Sequence, residues 1–135
     1  MATLSTTYLS DLRTEITHLQ SGNKIITDAP VDNQGKGEYF SPTDLFVASL
    51  GSCMLTIMGI ASKARGFSID GTKVETTKVM AVNPRRVGEI IMTITFPQNY
   101  GEKERFILER AAHDCPVRYS IREDIKVNLT FNYPA

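Results

Sequence analysis

One segment limits the possible folds of this chain more than any other: SPTDLFVASLGSCMLTIMGIASKARG, residues 41–66. Its first residues form a helix start. Ser41 can accept a hydrogen bond from an orphan backbone N–H, Pro42 suits the first helical position, and Asp44 completes a capping-box-like reach while complementing the helix dipole. Arg65 suits the last turn and Gly66 the left-handed position beyond it, so the spacing predicts a helix running to about Ala64. Apolar or small residues occur all round it, so no face suits water and the helix is expected to lie enclosed by sheet or by a partner chain. Its most apolar part, Leu45 to Ala61, carries Ser49, Ser52, Thr56 and two glycines and falls short of the roughly 20 apolar residues of a membrane span. It reads as a buried core helix.

The flanking segments alternate with a period of two. Tyr8 to Asp28 reads as a β-hairpin around the turn formers Ser21-Gly22-Asn23, and a polar loop from Pro30 to Phe40 follows. Phe67 to Val82 and Val87 to Phe96 read as strands of a second hairpin, separated by Asn83-Pro84-Arg85-Arg86. Asn99 to His113 returns to helical spacing as a half-exposed amphipathic helix, Pro116 interrupts it just after Cys115, and Ile125 to Phe131 alternates as a last strand. The expected fold is α+β in the order ββ-α-ββ-α-β, one domain spanning residues 1–135.

A chain of 135 residues can bury a real core without a disulfide framework. Fifteen basic residues balance fifteen acidic ones, so no net field draws the protein to nucleic acid or to an anionic membrane, and neither is expected as a partner. The N-terminus, MATLSTTYLS, has neither the basic start nor the apolar stretch of a secretory signal, so a cytoplasmic location is expected.

In a reducing compartment the two cysteines, Cys53 and Cys115, are not expected to be a structural staple. Cys53 lies about three turns into the central helix, too deep for the helix dipole to activate it, so a reactive thiol there needs a cation or donors from elsewhere. Arg13, Lys36, His113, Arg118 and Arg122 are available. Cys115 sits at a helix end broken by proline, beside Asp114, where it can move. Unlike settings of this kind suit peroxide reduction, in which a sheltered thiolate attacks the O–O bond and a mobile thiol captures the sulfenic acid. Spacing alone leaves chemistry and inert packing both open. Two cysteines with His18 and His113 lack the short paired spacing of zinc ligands, so no metal and no cofactor is expected.

The run Ser41-Pro42-Thr43-Asp44-Leu45-Phe46-Val47-Ala48-Ser49-Leu50-Gly51-Ser52-Cys53 resembles the motif of the OsmC/Ohr family, in which a Ser/Asn-Pro start leads into a central helix carrying the peroxidatic cysteine. Cys115-Pro116-Val117 resembles the family's resolving-cysteine segment. The resemblance implies an intertwined homodimer with β-sheets wrapped around two central helices. It also implies reduction of alkyl or lipid hydroperoxides, with Cys53 attacking, Cys115 resolving and an external dithiol restoring the pair. Phe40, Phe46, Met54 and Met58 would then line an apolar substrate pocket. The most active branch places a glutamate ten residues before the attacking cysteine, paired with an arginine near the first hairpin. That position is Thr43 here, which leaves Asp44 or Glu38 as the acid, and the hairpin offers Lys24 at its turn or Arg13 in mid-strand as the cation that could hold the thiolate, which points to a divergent OsmC-like branch. The alternative is a protein of the same family that binds a small lipophilic ligand or senses redox state without turnover.

Overall fold

The computed structural model describes residues 1–134, which fall into two compact units, residues 1–46 and the chain from Val47 onward. The predicted α+β class is observed, and its order gains two elements. The first unit is an antiparallel meander of β1 (Leu4–Ser10), β2 (Arg13–His18) and β3 (Lys24–Asp28), followed by a single 3-10 turn at Val31–Asn33. The predicted hairpin is β2–β3, closed by the His18 N–H donating to Asn23 O at 2.8 Å.

Strand β1 is an addition, because the alternation from Tyr8 predicts one strand through residues 8–12. The chain instead reverses at Ser10, Asp11 and Leu12, whose φ angles of 102°, 54° and 64° lie in the left-handed region that non-glycine residues rarely enter. With no glycine there, the alternation hides the turn. The Tyr8 hydroxyl accepts the Leu12 N–H at 3.2 Å and holds the reversal.

Helix α1 (Pro42–Ala64) begins and ends as its sequence predicts. The Asp44 N–H donates to Ser41 Oγ at 3.0 Å, and the Ser41 N–H donates to the Asp44 carboxylate at 2.9 Å. At the other end Phe67 N–H bonds Ser62 O at 3.1 Å and Gly66 N–H bonds Lys63 O at 3.2 Å, with Gly66 at φ +77°. That pair of bonds satisfies carbonyls the helix cannot.

In the second unit, β4 (Lys73–Ala81) and β5 (Arg86–Thr95) pair antiparallel, and β6 (Lys126–Asn132) joins β5 in parallel. A parallel neighbour needs a crossover, which α2 (Glu102–His113) and the short α3 (Pro116–Ser120) supply. Strand β4 starts six residues later than the alternation from Phe67 predicts. Ser68 to Thr72 forms a turn instead, with the Asp70 N–H on Ser68 Oγ at 3.0 Å and Gly71 at φ +88°.

Val47, Leu50, Met54 and Met58 of α1 form one core cluster with Ile90, Met92 and Ile94 of β5 and Leu108, Ala111 and Ala112 of α2. A Cβ on Gly51 would stand 3.4 Å from Met92 Cε and 3.5 Å from Val74 Cγ1, so α1 lies flush on the sheet. Of the expected enclosure by sheet or by a partner chain, the sheet covers one side. Ala48, Ser52, Thr56 and Ile60, spaced one turn apart, form an exposed stripe in the single chain. By length and composition α1, at 23 residues, is long and apolar enough to cross a membrane, where residues 45–61 alone had been read as too short. Its inner face packs on a sheet, as a core helix does.

Candidate active site

Cys53 sits on α1 between buried Met54 and exposed Ser52 and is half-buried, while Cys115 is the residue just before α3 and is fully buried at 0% exposure. Both are free thiols. The two elements bring them into hydrogen-bonding reach of each other, so the chain's two cysteines meet inside one compact unit.

Burial pushes the Cys115 thiol above its ordinary pKa, and the neighbouring Cys53 thiol adds to the rise. The amides of Val117 and Arg118 point toward its sulfur and partly offset the effect, although neither closes a full cap hydrogen bond. Pro116 does not simply end α2. It occupies the first position of α3, so Cys115 becomes an extended residue, φ −102° and ψ 150°, between two helices. Cys115 is thus the link between α2 and α3.

The sequence-predicted acid and base come together in the first unit. Arg13 on β2 forms an ion pair with Glu38, and its Nη2 lies 3.5 Å from the Asp28 carboxylate. Its guanidinium stands 5.1 Å from the Tyr39 ring centroid. Asp28, 1% exposed, also accepts the Glu38 N–H at 3.1 Å, which fixes the loop that carries Glu38. Asp28 is the residue that reading the sequence missed. It stands directly opposite Arg13 in the β2–β3 ladder, so counting strand partners back from the predicted turn would have found it.

Asp44 caps α1 together with Ser41. Lys36 pairs with Asp11 at 3.5 Å and Arg122 with Asp124 at 2.9 Å, both on the surface. His113 and Arg118 line a cavity of about 290 Å³ together with Tyr119, Ile121 and Glu123. Of the residues expected to line a substrate pocket, Met54 and Met58 are fully buried in the core, and Phe40 and Phe46 are exposed.

Comparison with known proteins places these features. Residues 35–130 match the model of the family described as OsmC-like protein, which includes both cysteines. A solved structure from Psychrobacter arcticus, of a protein named for osmotic stress induction and detoxification response, shares 54% identity over 97% of this chain and 96% of that one, with a TM-score of 0.94. Two more distant folds agree. The organic hydroperoxide resistance protein OsmC of Legionella pneumophila superposes with a TM-score of 0.75 at 14% identity, covering 98% of each chain. OhrB, the organic hydroperoxide resistance protein of Bacillus subtilis, superposes with a TM-score of 0.71 at 19% identity, covering 96% of this chain and 98% of that one. No curated protein matches the chain in sequence. From residue 35 to residue 130, with the cysteine helix and the Cys-Pro segment both inside the match, this chain belongs to the OsmC-like protein family.

Proposed function

We propose that this protein is a cysteine-based peroxidase that reduces organic hydroperoxides. The observation that carries the reading is the meeting of two free thiols, one half-buried on α1 and one buried at the link between α2 and α3. In the first step the Cys53 thiolate attacks the outer oxygen of ROOH. The O–O bond breaks, Cys53 becomes a sulfenic acid, and the departing alkoxide takes a proton to leave as ROH. In the second step the Cys115 sulfur attacks the sulfenic sulfur, forming the Cys53–Cys115 disulfide and releasing water. An external dithiol then returns both thiols by exchange and is itself oxidised to a disulfide.

Attack needs a thiolate, and on the family resemblance alone Arg13 with Glu38 is the pair proposed to favour it. A guanidinium fixed by two carboxylates presents a set charge that a lysine cannot copy. The protein is proposed to act as a homodimer, which size-exclusion chromatography with light scattering would report.

The reading is tested by following cumene and tert-butyl hydroperoxide consumption with a small dithiol as reductant. Wild type is expected to turn over and Cys53→Ser to be inactive. Cys115→Ser is expected to consume one equivalent and then stall with Cys53 oxidised. No turnover by wild type above Cys53→Ser overturns the proposal.

A further inference from the structure

Cys115 is buried, yet the residues on either side of it are not. Asp114 and Tyr119 are exposed, Tyr119 at 73%. The Tyr119 hydroxyl nevertheless donates a hydrogen bond to Asp114 Oδ1. Asp114 closes the end of α2, where its N–H bonds Ala111 O at 3.1 Å, and Tyr119 belongs to α3, where its N–H bonds Cys115 O at 3.2 Å. The side-chain bond therefore bridges the extended residue between the two helices and fixes the angle at which α3 leaves α2. Tyr119 also borders the cavity shared with His113, Arg118, Ile121 and Glu123.

We propose that the Tyr119–Asp114 hydrogen bond is a staple across the Cys115 link, holding the thiol inward beside Cys53, and that its opening governs when Cys115 meets reagents from solvent. Tyr119 and Asp114 are thus positioning residues that act through Cys115. The consequence for turnover rests on the peroxidase reading above; the consequence for access does not. With the staple closed, Cys115 stands where a sulfenic acid on Cys53 would form. With it open, capture is slower, and a second ROOH can oxidise the sulfenic acid to sulfinic acid with release of ROH.

The test uses the reduced, full-length protein and iodoacetamide, with modification of Cys53 and Cys115 followed separately by peptide mass spectrometry. Each rate is referred to the thiolate fraction from its own pH profile. Tyr119→Phe is expected to raise the Cys115 rate about fivefold, the effect of losing one exposed hydrogen bond from a closed state, and to leave Cys53 unchanged. Asp114→Asn still offers the hydroxyl an acceptor and is expected within about twofold of wild type, whereas Asp114→Ala matches Tyr119→Phe and the double variant goes no further. Equal Cys115 rates in wild type and Tyr119→Phe overturn the staple. So does Asp114→Asn behaving like Asp114→Ala, since the charge rather than the bond would then be responsible. In a second arm, excess cumene hydroperoxide is expected to leave more Cys53 sulfinic acid in Tyr119→Phe than in wild type. Because the alkylation arm needs no peroxide, loss of the peroxidase reading and loss of the staple are told apart.

Discussion

The two units solve the problem of staying folded in different ways. From Val47 onward the chain buries apolar side chains from α1, β5 and α2 in one cluster, with Ser62 as its buried polar residue. Up to Phe46, the buried residues are Thr27, Asp28 and Ser41, all polar, and every residue of β1 is exposed. The second unit is therefore sensitive to volume, because close-packed interiors feel the loss of a few methylenes. The first is sensitive to hydrogen-bond partners, because a buried donor or acceptor left alone loses its solvation without return. The candidate site residues divide along the same line, with both thiols in the apolar unit and the Arg13 guanidinium in the polar one.

Mutations can break this contrast or sharpen it. The largest loss is expected for Leu108→Ala, fully buried in the core cluster, at about 2–5 kcal/mol in a denaturant titration. Leu9→Ala, exposed on β1, should cost within about 0.5 kcal/mol, and a comparable loss at the two leucines would end the distinction. Asp28→Ala comes next, at about 1–3 kcal/mol, since it strips a partner from both Arg13 and the Glu38 N–H; Asp28→Asn should cost less. Ser41→Ala, which removes one half of the α1 capping box, should cost about 1 kcal/mol.

The last prediction is a slope with pH. Burial raises the Cys115 pKa in the folded state, so between the ordinary thiol value of about 8.5 and the raised one the unfolded chain loses a proton that the folded chain keeps. Stability contributed by the neutral thiol is complete below that window and declines as pH rises through it. Cys115→Ala should flatten the decline of melting temperature above about pH 8.5, and an unchanged slope would assign it to other groups.

The same contrast explains what could be read without a structure. Helix α1 was legible to the residue at both ends because its signals are local: a capping pair three residues apart and a glycine that must take φ +77°. Strand β5 and helix α2 were legible because their apolar period matches the core they face. The turn at residues 10–12 was not: Ser10 and Asp11 are turn formers, but no glycine accompanies them, and Leu9 and Leu12 keep an apolar pattern running across the reversal. The late start of β4 was hidden by Phe67 and Ile69, which keep the alternation going through a turn. At the site, the motifs named both cysteines, and Arg13 with Glu38 emerged as an ion pair. Asp28 was overlooked because a carboxylate is expected at the surface, and only its cross-strand position opposite Arg13 explains its burial.

The parallel pairing of β5 with β6 has a mechanical consequence. The crossover that holds Cys115 is clamped at one end by β5 and at the other by β6, whose ladder runs from Glu89↔Lys126 to Thr95↔Asn132. A third clamp follows, since Tyr133, just after β6, donates to the Glu109 carboxylate of α2 at 2.7 Å and lies 4.0 Å from the Arg105 guanidinium. A beam fixed at its ends and again along α2 cannot carry its middle far; it can only twist where it is unsupported. The least tied span runs from the end of α2 to the start of β6, held by the buried Cys115 and Ile125 and by the Arg86–Asp124 pair, so movement of Cys115 is limited to rotation over a few residues, and the strands need not part for it.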